Sequence, residues 1–399
     1  MEFPALQDQV ETLTEYLRIR EKFAYSELNI VASPYRISPL GAHIDHQGGP
    51  VLGMTINART LFAFTPNHEG RIRLYSTNYP GIVEFSLDNI RTPRRDDWGR
   101  YAMGAAKIIQ EHMAIEVGFT GAITGSLPAS GLSSSASVGL AYLKALSHLN
   151  NCNLTPDQYV SLDSGIENKY LKLQNGILDQ SSILYGKKDQ LLQIDTKSKK
   201  VIEHPRPESG EDFKILILYT GISRELTSSG FNERVEACKR TAGLLGLMGG
   251  LKSPSLLSDI PFEVYEAQKK RLPEDVKNWA AHYFSEVERV EQGIEAWNIG
   301  DPEKFGKLMN ESSISTIKNY DRGSPEAKRL FELTSSCEGV YGAAINGGGY
   351  GGCVVAFVRN EITEDSASEI INKYTNEYPN LKEKATAYFA EPDNGLELL

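Results

Sequence analysis

Residues 128–136, Pro128-Ala129-Ser130-Gly131-Leu132-Ser133-Ser134-Ser135-Ala136, constrain this chain most. Ahead of them Ile115 to Phe119 reads as a strand. Behind them residues 138–149 read as a buried helix, with Val138, Ala141, Ala145 and Leu149 on one face. A turn rich in glycine and hydroxyls that opens a helix is an anion site. The first helical turn has N–H groups without intrahelical acceptors, and the helix dipole adds positive potential there. Gly131 lets the backbone approach a phosphate closely, and the three consecutive serines offer hydroxyls to phosphate or to Mg²⁺. The lysine of G-x-x-x-x-G-K-[ST] is missing, which excludes that phosphate loop. Taken alone, the stretch also fits a capped helix after a polar turn, since serine is a favoured N-cap.

The rest of the chain supplies the frame. Its 399 residues suggest two domains. A net charge of −10 argues against nucleic acid or an anionic membrane as the main partner, so an anionic substrate needs a local basic pocket. The first residues (MEFPALQDQVETLTEYLRIREKF) are charged and helical in pattern, unlike a signal peptide, and no apolar run is long enough to span a membrane. Cys152, Cys238, Cys337 and Cys353 are scattered without metal spacing and read as reduced thiols of a cytoplasmic protein.

Helical patterns cover 5–28, 98–114, the stretch from Pro156 to about Leu173, most of 230–335, and 363–377. Strand patterns cover 29–33, 51–57, 60–64, 72–76, 190–196, 213–219, 353–358 and 385–389, with a loop carrying Pro34 and Pro39 after the first. This irregular alternation predicts an α+β fold. A composition shift at 203–212 predicts a boundary between a unit of residues 1–203 and one of 204–384, with 385–399 completing the first.

Several clusters could carry chemistry. The glycine run 347–352 opens a strand rather than a helix, which excludes a dinucleotide fingerprint. It reads as a glycine hairpin lying against another loop, or as a tight β-turn. Arg36, His43 and Asp45 form a dense polar cluster, either a binding site or a solvated loop with an ion pair. Asp179 stands beside Asn175 and Gln180 in a turn broken by Gly176, where aspartate is usually a turn former. Glu167, in mid-helix, fits a solvated surface charge as well as a functional role. No histidine or cysteine cluster points to a transition metal.

In order along the chain stand RISPLGAHIDHQGGPVLGMTIN (36–57), PASGLSSSAS (128–137), NGILDQ (175–180), SSGFNERVEAC (228–238), GDPEKFGKLMNES (300–312) and INGGGYGGCVVAFV (345–358). This ordered set resembles the GHMP kinases, and within them the galactokinase-like sugar kinases, over nearly the whole chain. The resemblance implies a two-domain fold with the active site in the interdomain cleft, and ATP with Mg²⁺. Ser133, Ser134 and the neighbouring backbone of Pro128, Ala129 and Gly131 would hold the ATP phosphates. Ser135 and Glu167 would hold Mg²⁺, which prefers hard oxygen ligands. Ser76, Asn78 and Trp98 would lie near the adenine. Asp179 would face the hydroxyl to be phosphorylated, at the anomeric carbon of a sugar, with Arg36 beside it. Tyr35, Ala42, His43, Asp45 and Gly176 would line the sugar.

The departures from the galactokinase pattern point to the sugar. Ala42 stands where galactokinase carries a glutamate near the sugar's C6 hydroxyl. Two like charges about 4 Å apart repel by roughly 4 kcal/mol at an intermediate dielectric, so a uronic acid could hardly bind beside that glutamate. With Tyr35, Ser38, Pro39 and His46 also altered, the motif looks most like the galacturonokinase branch. This implies D-galacturonate and ATP as small-molecule partners, with His43, His46, Tyr35 or Arg36 meeting the carboxylate. Alternatively, Ala42 merely enlarges the pocket. Phe231 replaces a sugar-facing tyrosine, Ala344 an arginine, Asn346 a threonine and Ser313 a histidine. The alternatives are galactokinase, a glucuronate or arabinose 1-kinase, and a non-catalytic sugar sensor on the same fold.

Overall fold

A computed structural model describes all residues except 93, 95, 96, 128, 129, 224–229, 349 and 350. The chain begins α1 (Leu6–Glu21), β1 (Asn29–Ile37), β2 (Pro50–Asn67), β3 (Arg71–Ser76), β4 (Val83–Ser86), α2 (Arg100–Gln110) and β5 (Gly118–Gly125). It continues α3 (Ser134–Leu149), α4 (Pro156–Gly165), α5 (Leu178–Tyr185), β6 (Gln190–Asp195), β7 (Lys200–Pro205) and β8 (Lys214–Tyr219). The helices α6 (Phe231–Gly249), α7 (Phe262–Gln268), α8 (Glu274–Asn298), α9 (Pro302–Lys318) and α10 (Pro325–Ser335) follow. Last come β9 (Val340–Asn346), β10 (Cys353–Val358), α11 (Glu364–Glu377), β11 (Thr386–Ala390) and β12 (Glu397–Leu398).

Two sheets organise these elements. The larger has the order β12-β1-β2-β5-β3-β4, with β6 and β7 joining at the other end of β2; the smaller is β11-β8-β10-β9. Neighbours pair antiparallel except β3 with β5. Residues 51–64, read from sequence as two strands, form one long strand because its ends serve different partners. Thr60 to Asn67 pair with β5 and Pro50 to Gly53 with β6. Pro34, expected in a loop, lies within β1 where the register shifts between Pro34 and Tyr35. A bulge accommodates a residue that has no N–H to give the ladder.

Strand alternation decides the packing. On one face of the large sheet Phe62, Phe64 and Phe119 pack with Tyr142 and Leu140 of α3. On the other, Leu61 and Ala63 meet Val10, Leu13 and Leu17 of α1. In the small sheet Leu216, Leu218, Val354 and Ala356 face Leu330 of α10 and Ile370 of α11. The opposite face, Ile215, Ile217, Val355 and Phe357, shares one core with Tyr35, Ile37 and Leu52 of the large sheet and with Val290, Phe305 and Met309. That shared core joins the two sheets.

The chain end corrects one expectation. Residues 386–390 pair with β8 in the small sheet, covering its edge, while the residues after them return to the large sheet, Glu391 and Asp393 bonding to β2 and Glu397 to Leu399 to β1. No helix among the described residues is long and apolar enough to cross a membrane.

Candidate active site

The phosphate-loop helix begins one turn earlier than its apolar pattern suggests. Serine lacks apolar character, so the hydrophobic pattern missed the first turn. Ser133 is its N-cap with a left-handed φ of +62°, and Ser134 opens the helix. The Ser137 N–H donates to Ser133 O at 3.1 Å, so the Ser135 and Ala136 amides precede the first intrahelical bond. Gly131, at φ +83°, supports a close approach: a Cβ there would lie 2.8 Å from Asn346 O. Gly347 and Gly352 abut the backbone of Gly131 and Ser130 from the other side. Gly347 and Gly352 thus hold the glycine-rich segment against the serine loop, and side chains at Gly131, Gly347 or Gly352 would push the two apart; Gly349 and Tyr350, within that run, lie outside the described residues. Pro128 and Ala129, expected at the phosphates, lie outside the described residues.

Arg36 reaches the same place from β1. Its Nε and Nη2 donate to Asp179 Oδ1 at 2.9 and 2.7 Å, and Nη1 donates to Gly131 O at 3.2 Å. Asp179 is in the first turn of α5, not in an open turn as the sequence suggested. Helix geometry therefore fixes its direction. The carboxylate stays 23 % exposed while Arg36 is 5 % exposed, so the acid faces the cavity and the cation backs it.

Glu167 overturns the surface-charge alternative. The expected helix ends at Gly165, and a wider π-helical turn, Ile166–Tyr170, rotates Glu167 into the interior, where it is 1 % exposed. Oε2 accepts Asn175 Nδ2 at 2.8 Å and Gln180 Nε2 at 3.2 Å. Burial, then the charge of Asp179, pushes its carboxyl up to about 7, while Asn175, Gln180 and Ser135 pull the other way. Glu167 Oε1 and both oxygens of buried Asp163 have no hydrogen-bond partner. Asp163 lies farther along α3, where a Cβ at Gly139 would collide with its Oδ1, so it is the unsatisfied Glu167 oxygen, beside Ser135 at the helix mouth, that fits a divalent cation such as Mg²⁺. Asn175 and Gln180 were visible beside Asp179 in sequence, but nothing there showed that they hold Glu167.

The sugar-motif loop is anchored from α8. Gly41 N and Ala42 N donate to Glu286 Oε2 at 3.1 and 3.2 Å, and His282 Nε2 lies 2.7 Å from Ala42 O. Glu286 also accepts Ser312 Oγ and pairs with Arg289. Sequence reading missed Glu286 and His282, since no local signal links them to residue 42. Gly176 admits the Asp45 carboxylate where any Cβ would collide with Oδ2. Burial, then the charge of Asp179, raises the Asp45 carboxyl to about 6.

The four residues weighed for a substrate carboxylate are placed differently. His43 lines the cavity and stacks on Tyr320, centroids 4.7 Å apart; burial, then the Arg322 charge, holds its pKa well below the usual range. His46 uses both ring nitrogens, Nε2 with Tyr320 Oη at 2.7 Å and Nδ1 with Gln47 Nε2 at 2.9 Å. Tyr35 lines the same cavity, but alternation along β1 sets it on the face opposite Arg36, its phenol towards Thr60. Arg36 is engaged with Asp179.

At the far end Trp98 and Tyr79 stack with centroids 6.3 Å apart, and Trp98 Nε1 donates to Pro80 O at 3.1 Å. Asn78 Oδ1 accepts Gly125 N at 2.7 Å, and Ser76 Oγ accepts the Asn78 and Tyr79 amides, shaping the turn rather than facing outward. One cavity of about 770 Å³ is lined by Trp98, Ser76 and Asn78, by Ser133 to Ser135 with Gly131, and by Arg36, Ala42, His43, Asp45, Gly176 and Asp179. A flat aromatic slot, an anion-binding helix end and a carboxylate–guanidinium pair therefore open into one space.

That sequence of subsites is the layout of a phosphotransferase, and the likenesses of the chain agree. It matches the GHMP kinases N terminal domain over residues 100–187, the GHMP kinases C terminal domain over 291–380 and the galactokinase galactose-binding signature over 20–66. The chain belongs to the GHMP kinases. It is 39 % identical to a galacturonokinase of Arabidopsis thaliana, covering 92 % of this chain and 90 % of that one. It is 32 % identical to a galactokinase of Clostridium perfringens, covering 91 % and 93 %. The crystal structure of Lactococcus lactis galactokinase complexed with galactose superimposes with a TM-score of 0.89 at 29 % identity, over 98 % of this chain and 100 % of that one.

Proposed function

We propose that this kinase transfers the γ-phosphoryl group of ATP to the anomeric hydroxyl of D-galacturonate, giving galacturonate 1-phosphate and ADP. The base would stack in the Trp98 slot, and the phosphates would meet Ser133, Ser134 and the amides that open α3. Ser135 and Glu167 would hold the Mg²⁺, which supplies charge neutralisation to the phosphates. Phosphoryl transfer is mostly positioning and charge stabilisation. Asp179 takes the proton of the attacking hydroxyl, and Arg36, which donates twice to its Oδ1, holds that carboxylate in orientation. The same arrangement acts on any sugar 1-hydroxyl, so the choice of sugar rests elsewhere.

Ala42 carries that choice. It lines the cavity with a methyl group, on a loop whose backbone is bonded to Glu286 and His282. Its side chain therefore places no charge beside an acidic substituent. A neutral sugar is the second reading, favoured by the Lactococcus lactis likeness. The test is ADP release with MgATP on galacturonate, galactose, glucuronate and arabinose at matched concentrations. Activity strongest on galacturonate supports the proposal. Preference for galactose keeps the kinase and rejects the acid. Turnover of any of them excludes a pure sensor. Ala42→Glu should lower galacturonate turnover by two to three orders of magnitude and spare galactose; unchanged galacturonate activity would refute the charge argument.

A further inference from the structure

The Glu167 carboxylate is held unevenly. Its Oε2 accepts two amide donors, Asn175 Nδ2 at 2.8 Å and Gln180 Nε2 at 3.2 Å, while Oε1 has no hydrogen-bond partner among the described residues. Glu167 is 1 % exposed and Gln180 fully buried, which shields both bonds from water. An amide that faces a carboxylate presents its NH₂ end, so the orientation of both side chains is fixed. The segment that carries Asn175 is tied down as well. Leu173 N donates to Glu167 O at 2.9 Å, Gln174 N to Asn232 Oδ1 at 3.0 Å, and Asn168 Nδ2 to Asn175 O at 3.3 Å. The next residue is Gly176, against which Asp45 packs, so the segment has little room to shift. The carboxylate therefore has one oxygen in fixed use, and it cannot swing to offer both.

Divalent cations differ in what they ask of a carboxylate. Ca²⁺ is the larger, takes about six to eight oxygens and commonly accepts both oxygens of one carboxylate, whereas Mg²⁺ demands a tight octahedron and suits one oxygen from each. Resting on the placement above of the ATP-bound cation at Ser135 and Glu167, we infer that Asn175 is a positioning residue which, with Gln180, ties up Glu167 Oε2, so that the site offers Oε1 alone and selects Mg²⁺ over Ca²⁺. Asn175 acts through Glu167 and not on the cation itself. The choice of sugar plays no part in this selection.

Two measurements on the unaltered protein test this. The first is competition of Mg²⁺ and Ca²⁺ against Mn²⁺, read by electron paramagnetic resonance, with a non-hydrolysable ATP analogue on the protein and with the same analogue free in solution. The bound analogue should favour Mg²⁺ over Ca²⁺ about tenfold more than the free one does, and an equal preference overturns the inference. The second is a crystal structure with the analogue and Mn²⁺, in which Glu167 should meet the ion through Oε1 alone, with Oε2 still on Asn175 and Gln180. Coordination through both oxygens, or through Asn175 itself, overturns it too. Asn175→Ala then releases one of the two bonds, and should shift the preference towards Ca²⁺ about threefold or more with Mn²⁺ still bound. An asparagine that merely braces the turn would lower the melting temperature on replacement and leave the Mg²⁺-to-Ca²⁺ ratio unchanged, and that outcome rejects the inference. If Asn175→Ala does not fold, the two measurements on the unaltered protein decide. Failure of Mn²⁺ to bind at Glu167 would reject the cation site proposed above and this inference with it, a result distinct from binding without selectivity.

Discussion

Replacing Asp179 with asparagine isolates its charge, because the two side chains have nearly the same shape. Arg36 donates twice to Asp179 Oδ1, at 2.9 and 2.7 Å, from a side chain only 5 % exposed. Opposite charges about 4 Å apart attract by roughly 4 kcal/mol at an effective dielectric of 20. Desolvation offsets much of this, and the amide oxygen still accepts one bond, so the net destabilisation should be about 1–3 kcal/mol. The melting temperature should fall by a few degrees. Loss of the proton acceptor should lower kcat by about 10²–10⁴-fold. Sugar affinity, measured by titration without ATP, should change little. The assay is ADP release at saturating sugar and MgATP, paired with that titration and a thermal melt. A folded variant that keeps kcat within tenfold of the parent would refute the role of Asp179 as proton acceptor and leave it as an orienting group.

Gly131→Ala should weaken ATP, because its Cβ would lie 2.8 Å from Asn346 O at a φ of +83°; a rise in KM for ATP of tenfold or more, with sugar binding retained, is expected from steady-state kinetics. Glu167→Gln should weaken Mn²⁺ binding in the presence of ATP at least tenfold by electron paramagnetic resonance, and unchanged Mn²⁺ affinity would remove Glu167 from the cation site. Burial, then the His282 charge, lowers the pKa of His46 to about 3, below its unfolded value of 6.5. It therefore contributes stability above pH 6.5 that is lost as the pH falls towards 3, at up to about 1.4 kcal/mol per unit. Asp45, raised to about 6, acts in the opposite sense between pH 4 and 6. His46→Gln should flatten the fall in denaturation free energy below pH 6.5, and an unchanged slope would contradict the burial of a neutral imidazole.

The sequence by itself determined the class of fold and the family. Those signals are local: the glycine and serine spacing of 130–137, the proline and glycine breaks, and the ordered motifs each act through backbone conformation or side-chain chemistry within a few residues. Arg36 and Asp179 could be named for the same reason, but not their mutual distance, which depends on β1 lying beside the start of α5. Glu167 shows the limit most plainly. Its helical surroundings look the same whether it faces solvent or the core, and only the widened turn after Gly165 rotates it inward onto Asn175 and Gln180. The split of the chain end between the two sheets was equally hidden, since short strands carry no label for their partner. Glu286 and His282 reach the sugar-motif loop from a helix more than two hundred residues from Ala42. Long-range packing brings such charges together, and burial decides what they are worth. Both are properties of the assembled tertiary structure.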